Sequence, residues 1–332
     1  MPTTDASDAN RHHSHPRRIA ITGASGLVGS RLVERLEGLG DEVYRLVRSG
    51  PTSGRDIHWN PSGGVIDKSA LEGMDAVVHL AGASIAGGLW TEKRKRLIRS
   101  SRVDGTALLS QALATLEHPP KVLVSTSAVG YYGDGGQQVL SETSDPGDDF
   151  LAEVCRAWER AARPASEAGI RVVHPRLGLV LDGDGGILPL MSIPFKMGVG
   201  GEIGGGEQYM SWIMLDDLVE VLVEAVDNEA LSGPVNAVAQ SPVTNREFTR
   251  AMGRALKRPT FMKVPAFAAR AVGGELVEQL ILVSQRVVPA ELQGAGFTFR
   301  YPTIDVALEA AFGRDKGRGR PASTAPKPVN AG

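Results

Sequence analysis

A glycine-rich turn near the start of the chain constrains the fold more than any other feature of the sequence. The apolar stretch Arg18 to Ile21 runs directly into Thr22-Gly23-Ala24-Ser25-Gly26-Leu27-Val28-Gly29, and the amphipathic segment Ser30 to Leu39 follows. In a G-x-x-G-x-x-G turn between a strand and a helix, the first glycine permits a tight turn, the second lets the backbone approach a pyrophosphate, and the third lets the helix lie close to the sheet. The amides and the positive dipole at the helix start bind phosphate. The turn therefore predicts a dinucleotide-binding site at the first strand of an α/β sheet.

Apolar runs alternate with helix-period segments through the first half of the chain, which is typical of a doubly wound parallel sheet. We predict strands near residues 18–22, 43–47, 75–80, 121–126 and 170–174, and helices near 26–39, 91–116 and 149–168. The predicted fold class is α/β, a Rossmann-type doubly wound parallel sheet. After Pro175 the alternation loosens into a Gly-rich stretch, Gly198 to Gly206, with helical patches and Pro-marked loops beyond it. That half indicates a smaller C-terminal substrate lobe laid over the strand ends.

The predicted domains follow from these shifts in pattern. An NADP-binding Rossmann domain covers residues 18–175, with a core that extends to about 240 through interleaved elements, and the substrate lobe covers 176–313. Residues 1–17 are polar and His-rich, and residues 314–332 are dominated by Gly, Pro, Arg, Lys and Ala, so both are predicted to be disordered tails. The histidines His12, His13 and His15 lie on a flexible arm that preorganises no metal site.

The end of the second predicted strand bears on which dinucleotide is bound. An NAD site usually has an acidic residue there, about 20 positions after the turn, that binds the adenosine ribose hydroxyls. This chain has Val47-Arg48-Ser49 at that place, and no carboxylate occurs from Leu46 to Ser53. A guanidinium there pairs with a 2′-phosphate. Arg48 therefore favours NADP(H), and the alternative is that it is an ordinary solvated charge at a strand end.

Composition excludes several other classes of function. No apolar run reaches the roughly 18 residues that a membrane span needs, so no membrane partner is expected. The net charge of -2 gives no long-range attraction to nucleic acid. The single cysteine, Cys155, allows no internal disulfide and no Cys-rich metal cluster, and the polar N-terminus lacks the apolar core of a signal peptide. A cytoplasmic protein with a small-molecule substrate is expected, and a homodimer is compatible with the sequence.

Several further segments resemble those of the extended short-chain dehydrogenases. Asp75 to Gly82 resembles their third strand, Arg102-Val103-Asp104-Gly105-Thr106 resembles their N-V-x-G-T helix motif, and Ser125 to Gly133 resembles their active-site serine strand. Within that superfamily, residues 18–312 are most similar to the nucleoside-diphosphate-sugar epimerase-like proteins with a characteristic C-terminal domain. The signature of that group is matched by Gly200-Gly201, Gly204-Gly205-Gly206-Glu207-Gln208, Ser211-Trp212-Ile213, Asp216-Asp217, Pro289 and Gly296-Phe297.

This resemblance implies a set of cofactor contacts and a class of reaction. Transferred by position, the residues expected to touch the cofactor are Gly23, Ser25, Gly26, Leu27, Val28, Arg48, Leu80, Ala81, Arg102 and Val180, and their neighbours Gly29, Gly82 and Ser125 complete the predicted site. The resemblance implies an NADP(H)-dependent oxidoreductase or epimerase acting on a small carbonyl or nucleotide-sugar-like substrate. The alternative is an NADP(H)-binding regulator or scaffold without turnover, since some members of the group are described as cell-division inhibitors.

The chain departs from the superfamily at the catalytic pair. Members have a Tyr-x-x-x-Lys pair about 25 positions after the active serine, in which the Tyr exchanges a proton with the substrate and the Lys lowers the pKa of the Tyr. This chain offers Phe150 or Leu151 for the Tyr and Val154 or Cys155 for the Lys, and none of these can do that chemistry. Either another group donates the proton, or hydride chemistry has been lost while cofactor binding persists.

If another group donates the proton, the candidates are Ser127, Tyr131 and Tyr132. Ser127 lies at the carboxyl end of the fourth main strand, where ligands of open α/β sheets bind, and the two tyrosines follow within one loop. Tyr132 is preferred on position, with Arg102 or a bound cofactor able to lower its pKa. The alternative is that one tyrosine packs in the core with its hydroxyl satisfied.

Other chemically capable residues have structural explanations. His79 ends a buried strand and is expected to be a hydrogen-bonded structural residue. Cys155 is expected to be a small apolar filler rather than a nucleophile. Asp216 and Asp217 open an apolar helix, and Asp217 is expected to be its N-cap rather than a metal ligand. The candidates for lining a polar substrate pocket with one aromatic wall are Gln208, Ser211 and Trp212.

Overall fold

The computed structural model describes residues 15–86 and 88–313. Residues 1–14, with His12 and His13, and residues 314–332 lie outside the described part, so the two tails stay predictions. Arg17, the last residue of the predicted N-terminal tail, is ordered in the structure and forms ion pairs with Asp41 and Asp227.

Strands and helices alternate along the first half of the chain, as the hydrophobic periodicity predicts. The strands are, in chain order, β1 (Arg18–Thr22), β2 (Glu42–Val47), β3 (Asp56–Asn60), β4 (Val65–Ile66), β5 (Ala76–His79), β6 (Val122–Ser125), β7 (Ser127–Ala128), β8 (Val139–Leu140), β9 (Arg171–Leu177), β10 (Leu179–Leu181), β11 (Gly201–Ile203), β12 (Tyr209–Met210), β13 (Trp212–Met214), β14 (Gly233–Ala237), β15 (Val243–Thr244), β16 (Met262–Val264) and β17 (Arg286–Val287). The helices are α1 (Leu27–Gly38), α2 (Glu92–Leu113), α3 (Phe150–Arg160), α4 (Arg163–Glu167), α5 (Leu188–Lys196), α6 (Leu215–Asp227), α7 (Asn245–Leu256), α8 (Ala266–Val277), α9 (Ala290–Gly294) and α10 (Ile304–Phe312).

The main sheet has nine strands in the order β14-β9-β6-β5-β1-β2-β3-β4, and β7 also pairs with β9. All pairings are parallel except that of β3 with β4. The predicted α/β class with a doubly wound parallel sheet is therefore confirmed. Because β1 lies between β2 and β5, the strand order reverses there, and ligands of open α/β sheets bind outside the carboxyl ends of the strands at such a point.

Helices cover both faces of this sheet. Helices α1 and α6 pack on one face, where Leu32, Leu36 and Leu218 are fully buried together with the strand residues. Helices α2 and α4 cover the other face, where Leu109 and Leu113 are fully buried. Burying one such leucine stabilises the fold by roughly 1.5 to 3 kcal/mol, so the two apolar faces fix the helices against the sheet. The strand ends, and the loops that follow them, are thereby held in place.

The second half of the chain contributes both to the sheet and to a separate core. Strand β14 forms the sheet edge beside β9, and α6 packs against α1. The remaining elements enclose a second cluster in which Trp212, Phe248 and Leu308 are almost completely buried. Helices α5, α7 and α10 surround this cluster. The C-terminal lobe thus has a hydrophobic core of its own beside the strand ends.

Candidate cofactor and substrate site

The glycine-rich turn has the backbone that a dinucleotide site requires. Gly23 adopts a φ of 70°, in the left-handed region, and a Cβ there would lie 3.0 Å from the amide nitrogen of Ala81. A Cβ on Gly29 would lie 2.1 Å from the carbonyl oxygen of Gly23. Gly23 therefore allows the turn to approach the end of β5, and Gly29 allows α1 to approach the turn.

The start of α1 is left open to an anion. Gly26 is the N-cap, no side chain caps the helix, and no acidic residue lies in its first turn. Ser25 and Gly26 are exposed, whereas Leu27 and Val28 are partly buried. The first amides of a helix have no intrahelical acceptor and carry the positive end of the helix dipole. The turn therefore fits the pyrophosphate of a dinucleotide, with amide donors that the described residues leave unused.

Thr22 ties this turn to the end of β5, a role that the sequence analysis missed. Its hydroxyl oxygen accepts hydrogen bonds from the backbone nitrogens of Leu80 and Ala81, both at 3.1 Å, and lies 2.7 Å from Nδ1 of His79. These bonds place the Leu80-Ala81-Gly82 segment beside the glycine-rich turn. The family resemblance predicts that this segment contacts the cofactor. The available signal was a hydroxyl residue at the last position of β1, directly before Gly23.

His79 is a buried neutral histidine. The hydroxyl of Thr22 accepts two amides and so donates its own proton to Nδ1, which must therefore be unprotonated. Burial lowers the pKa of His79 to about 4. The imidazole also meets the Trp59 ring edge to face, with centroids 5.8 Å apart. His79 is thus placed as a structural residue at the end of β5.

The free energy of unfolding is expected to depend on pH because the pKa of His79 is lowered in the folded chain. An unfolded histidine has a pKa near 6.5, so the unfolded chain takes up a proton between about pH 6.5 and 4 while His79 in the folded chain does not. The contribution to the free energy of unfolding is therefore full above pH 6.5 and falls by up to about 3 kcal/mol as the pH drops to 4. His79→Asn, which keeps an acceptor for Thr22, is expected to lose this component in urea unfolding at a series of pH values.

A second, partly buried histidine also contributes to the acid sensitivity. Burial also lowers the pKa of His174, so part of the acid sensitivity stays in the His79→Asn variant and is removed only by a change at His174. Parallel pH profiles of the wild type and His79→Asn would contradict the neutral assignment of His79.

Arg48 lies directly after β2, at the carboxyl end of that strand. It is exposed, and no carboxylate among the described residues pairs with it. Its neighbours on the same sheet differ, since Arg45 lies 3.6 Å from Glu37 and Arg55 lies 3.7 Å from Glu42. A cation without a partner at the end of the second strand is what a 2′-phosphate needs.

Arg102 extends from α2 to the end of β5. Its Nη1 donates to the carbonyl oxygens of Ala83 and Ile98, at 3.0 and 3.1 Å, and a Cβ on Gly82 would lie 3.4 Å from the guanidinium carbon. The guanidinium lies over the Trp158 ring, 5.1 Å from its centroid. Desolvation lowers the pKa of Arg102. Arg102, which replaces the Asn of the N-V-x-G-T motif, therefore holds its cation against Gly82 and Ala83. This segment is the one that we expect to lie under the cofactor.

The serine strand brings hydroxyls to the ends of the central strands. Ser125 ends β6 next to His79 and is buried, and its hydroxyl makes no hydrogen bond within the described residues. Ser127 begins β7, is also buried, and lies beside the thiol of Cys155. Burial raises the pKa of Cys155 to about 12, which leaves the thiol protonated and unsuited to nucleophilic attack. Leu151 packs against Gly130 and has no group that exchanges a proton, and the buried neutral thiol of Cys155 cannot take the role of the lysine cation.

Tyr131 and Tyr132, adjacent in one loop, have different environments in the structure. Tyr132 is 3% exposed, its hydroxyl donates to Oδ1 of Asn236 at 2.7 Å, and Nη1 of Arg176 donates to it at 2.9 Å. Burial, opposed by Arg176, raises the pKa of Tyr132 to about 12. The sequence analysis preferred Tyr132 as the proton donor, but this hydroxyl is already engaged in a buried network and fits the core-packing alternative.

Tyr131 has a different environment. Its ring is partly exposed, and its hydroxyl makes no hydrogen bond within the described residues. The guanidinium of Arg176 lies 3.4 Å from the centroid of this ring, and Glu159 holds that guanidinium through two bonds of 2.9 Å. Arg176 therefore holds the Tyr131 ring by stacking on its face, and no described residue binds the Tyr131 hydroxyl.

The residues predicted to line a substrate pocket lie instead within the packing of the C-terminal lobe. Trp212 is 1% exposed and its ring nitrogen donates to the carbonyl oxygen of Ser241. The hydroxyl of Ser211 donates to Gln285 and accepts from the Val287 amide. The side-chain amide of Gln208 donates to two backbone carbonyls. The predicted polar pocket with an aromatic wall is therefore wrong for Ser211 and Trp212, because their polar atoms bind backbone groups.

Val180 and Asp217 are both involved in the packing of the chain. Val180 lies on β10, which pairs with β13, and it packs against the core beneath α1. Asp217 is not the N-cap of α6, since that position is Met214. Its buried carboxylate accepts from the backbone amides of Arg300 and Tyr301 and so anchors the C-terminal segment. No cluster of metal ligands occurs among residues 15–86 and 88–313.

Comparison with known proteins adds family information to this geometry. The profile of the NAD dependent epimerase/dehydratase family matches residues 19–237, and that of a domain of unknown function, DUF1731, matches residues 264–311. An epimerase family protein of Mycobacterium bovis, Mb2239, is 44% identical over 296 residues, which are 89% of this chain and 98% of that protein.

Two solved structures are similar over most of the chain. The human epimerase family protein SDR39U1, crystallised with NADPH, has a TM-score of 0.81 and 32% identity, covering 90% of this chain and 99% of the human one. A nucleoside-diphosphate sugar epimerase of Corynebacterium glutamicum has a TM-score of 0.77 and 38% identity. That likeness covers 92% of this chain, which spans 60% of the Corynebacterium chain.

Proposed function

Because the chain belongs to the NAD-dependent epimerase/dehydratase family, we propose that it binds NADP(H) and acts as an oxidoreductase or epimerase on a small carbonyl or nucleotide-sugar-like substrate. The observation that carries the proposal is the open glycine-rich turn at the switch point, with its unused amides next to the end of β5. When bound, the nicotinamide supplies the hydride, and the protein supplies position and a proton.

The preference for NADP(H) over NAD(H) rests on Arg48. Its exposed guanidinium has no partner among the described residues and follows β2, where the adenosine ribose is bound in this fold. The human relative at 32% identity was crystallised with NADPH, which supports the same preference here.

Thermal unfolding tests this preference. At equal concentration NADPH is expected to raise the Tm more than NADH, because at a given concentration the ligand with the lower Kd stabilises the native state more. The Arg48→Ala variant is expected to respond equally to both cofactors. Arg45→Ala is a matched control, since Arg45 is an exposed cation on the same strand that pairs with Glu37. Equal shifts with both cofactors in the wild type, unchanged in Arg48→Ala, would remove the assignment.

The proton is proposed to come from Tyr131, with Ser127 beside it on the same strand-and-loop segment. Tyr131 is the tyrosine of the pair whose hydroxyl is not consumed by the protein, and Arg176 and Glu159 hold its ring. Arg102 holds a second cation against the Ala83 carbonyl, just after the end of β5. In this proposal Tyr131 and Ser127 take the role of the absent Tyr-Lys pair, although they come from a different element.

A further inference from the structure

A group of cations lies at the end of α7, on the C-terminal lobe. Arg250, Arg254, Lys257 and Arg258, here called the basic patch, line a shallow cavity of about 420 Å³. All four side chains are exposed. Arg254 pairs with Asp305, and the other three form no ion pair with any described residue. The basic patch therefore concentrates positive charge on a chain whose net charge is -2.

The backbone at the centre of the basic patch is unusual. Lys257 has a φ of 54° and a ψ of 47° and is the one non-glycine residue with a positive φ in the described chain. Its amide and that of Arg258 bind the carbonyl oxygens of Arg254 and Gly253, which ends the helix in the way glycine usually does. A lysine at this position adds a charge to the patch at the cost of backbone strain.

An exposed apolar surface adjoins the basic patch. Met197, Val199, Phe261 and Met262, here called the apolar rim, are 72%, 48%, 73% and 41% exposed. Strand β11 pairs with β16 so that Gly201 faces Met262, which brings residues 197–200 next to residues 260–262. Thr260 lines the basic cavity and directly precedes Phe261. The apolar rim therefore begins one residue after the lining of the basic cavity.

We propose that this surface docks on an anionic lipid bilayer, with the basic patch on lipid phosphates and the apolar rim at the level of the acyl chains. Basic residues flanking exposed aromatic and aliphatic side chains are the chemistry of peripheral membrane contact. Of the described helices, none is long and apolar enough to span a bilayer. This docking uses residues outside the cofactor site, and it is the opposite of the prediction from the sequence that the protein has no membrane partner.

Two other occupants fit the surface less well. In a twofold dimer built on this face, the same surface of each copy meets the other, which brings the basic patches together and opposes association. Nucleic acid would match the cations, but of the apolar rim Phe261 alone has a ring on which a base could stack, and Met197, Val199 and Met262 have none. An anionic lipid surface satisfies both the charge and the aliphatic side chains.

The test is flotation of the full chain with vesicles of phosphatidylcholine alone or mixed with phosphatidylglycerol. The wild type is expected to bind the mixed vesicles and not the neutral ones. Arg250→Glu/Lys257→Glu/Arg258→Glu is expected to lower binding by about a hundredfold or more, since each cation near an anionic surface contributes about a factor of five. Met197→Ser/Phe261→Ser is expected to weaken binding by about tenfold or more, since two large apolar side chains no longer insert.

A matched control changes the same charge elsewhere. Lys93→Glu/Arg96→Glu/Arg99→Glu alters three exposed cations on α2 and should leave vesicle binding unchanged. Thermal unfolding and NADPH binding of each variant show that its fold is intact. The proposal is overturned if the wild type fails to bind mixed vesicles or if the α2 control loses binding equally. It is also overturned if the Met197→Ser/Phe261→Ser variant binds as the wild type does. Binding would then come only from the attraction between the cations and the lipid phosphates, without insertion of the apolar rim.

Discussion

The Gly26→Val variant is expected to lose NADPH binding while keeping its fold. Gly26 is exposed and extended, with φ -77° and ψ 173°, a conformation that valine adopts readily. A Cβ there would lie 3.3 Å from the carbonyl oxygen of Gly23, and that is the one neighbour within 4 Å. The branched side chain would instead project over the open amides at the start of α1. NADPH affinity, measured by fluorescence titration, is expected to fall by at least about a hundredfold because the pyrophosphate and the side chain need the same space.

Two glycines of the same helix make controls for this variant. A Cβ on Gly38 would meet nothing within 4 Å, so Gly38→Ala is expected to bind NADPH normally. A Cβ on Gly29 would lie 2.1 Å from the Gly23 carbonyl oxygen, so Gly29→Ala is expected to destabilise the fold as well as weaken binding. Unchanged NADPH affinity in a folded Gly26→Val variant would show that the motif is an ordinary turn.

The first half of the fold was predictable because its signals are local. The apolar runs predicted near 43–47 and 121–126 are the strands Glu42–Val47 and Val122–Ser125, and the long helix predicted at 91–116 is Glu92–Leu113. A buried parallel strand needs a continuous apolar run, and a helix that covers the sheet needs a period near 3.6. Both patterns can be recognised without knowing which strands pair.

The completion of the sheet depends on contacts that the sequence does not display. Strand β14, with its Pro234, pairs with β9 more than 50 residues earlier, and α6 packs on α1 across nearly 200 residues. Local patterns locate such elements but do not assign their partners. The same limitation explains Asp217, whose position suggested a helix cap but whose carboxylate binds the amides of Arg300 and Tyr301.

The catalytic candidates show where local inference ends. The sequence placed Tyr131 and Tyr132 in one loop and could not tell a proton donor from a core residue. The distinction comes from Asn236 and Arg176, which lie 104 and 44 residues further along and both engage the Tyr132 hydroxyl. Glu159, which fixes Arg176, had no motif to mark it. The partners of a buried hydroxyl are set by tertiary packing, and so is its chemistry.

Replacing Tyr131 with phenylalanine is expected to lower any NADPH-dependent turnover by about 100- to 10,000-fold, the usual effect of removing a proton donor. The Tyr131 hydroxyl makes no hydrogen bond within the described residues, so the Tm of Tyr131→Phe and its affinity for NADPH should stay unchanged. Tyr132→Phe is expected to behave in the opposite way. It removes two buried hydrogen bonds and should cost about 1 to 3 kcal/mol of stability, while the folded fraction keeps most of its activity.

The measurement is NADPH oxidation against a panel of small carbonyl and nucleotide-sugar substrates, with Ser127→Ala beside the two tyrosine variants. Cofactor binding of each variant is checked first, so that a loss of turnover is not a loss of NADPH. Activity that survives both Tyr131→Phe and Ser127→Ala would mean that another group donates the proton. A wild type that binds NADPH tightly but turns over nothing in a broad panel would favour a cofactor-binding protein without turnover, because Leu151 and Cys155 pack as apolar side chains where the Tyr-Lys pair would be.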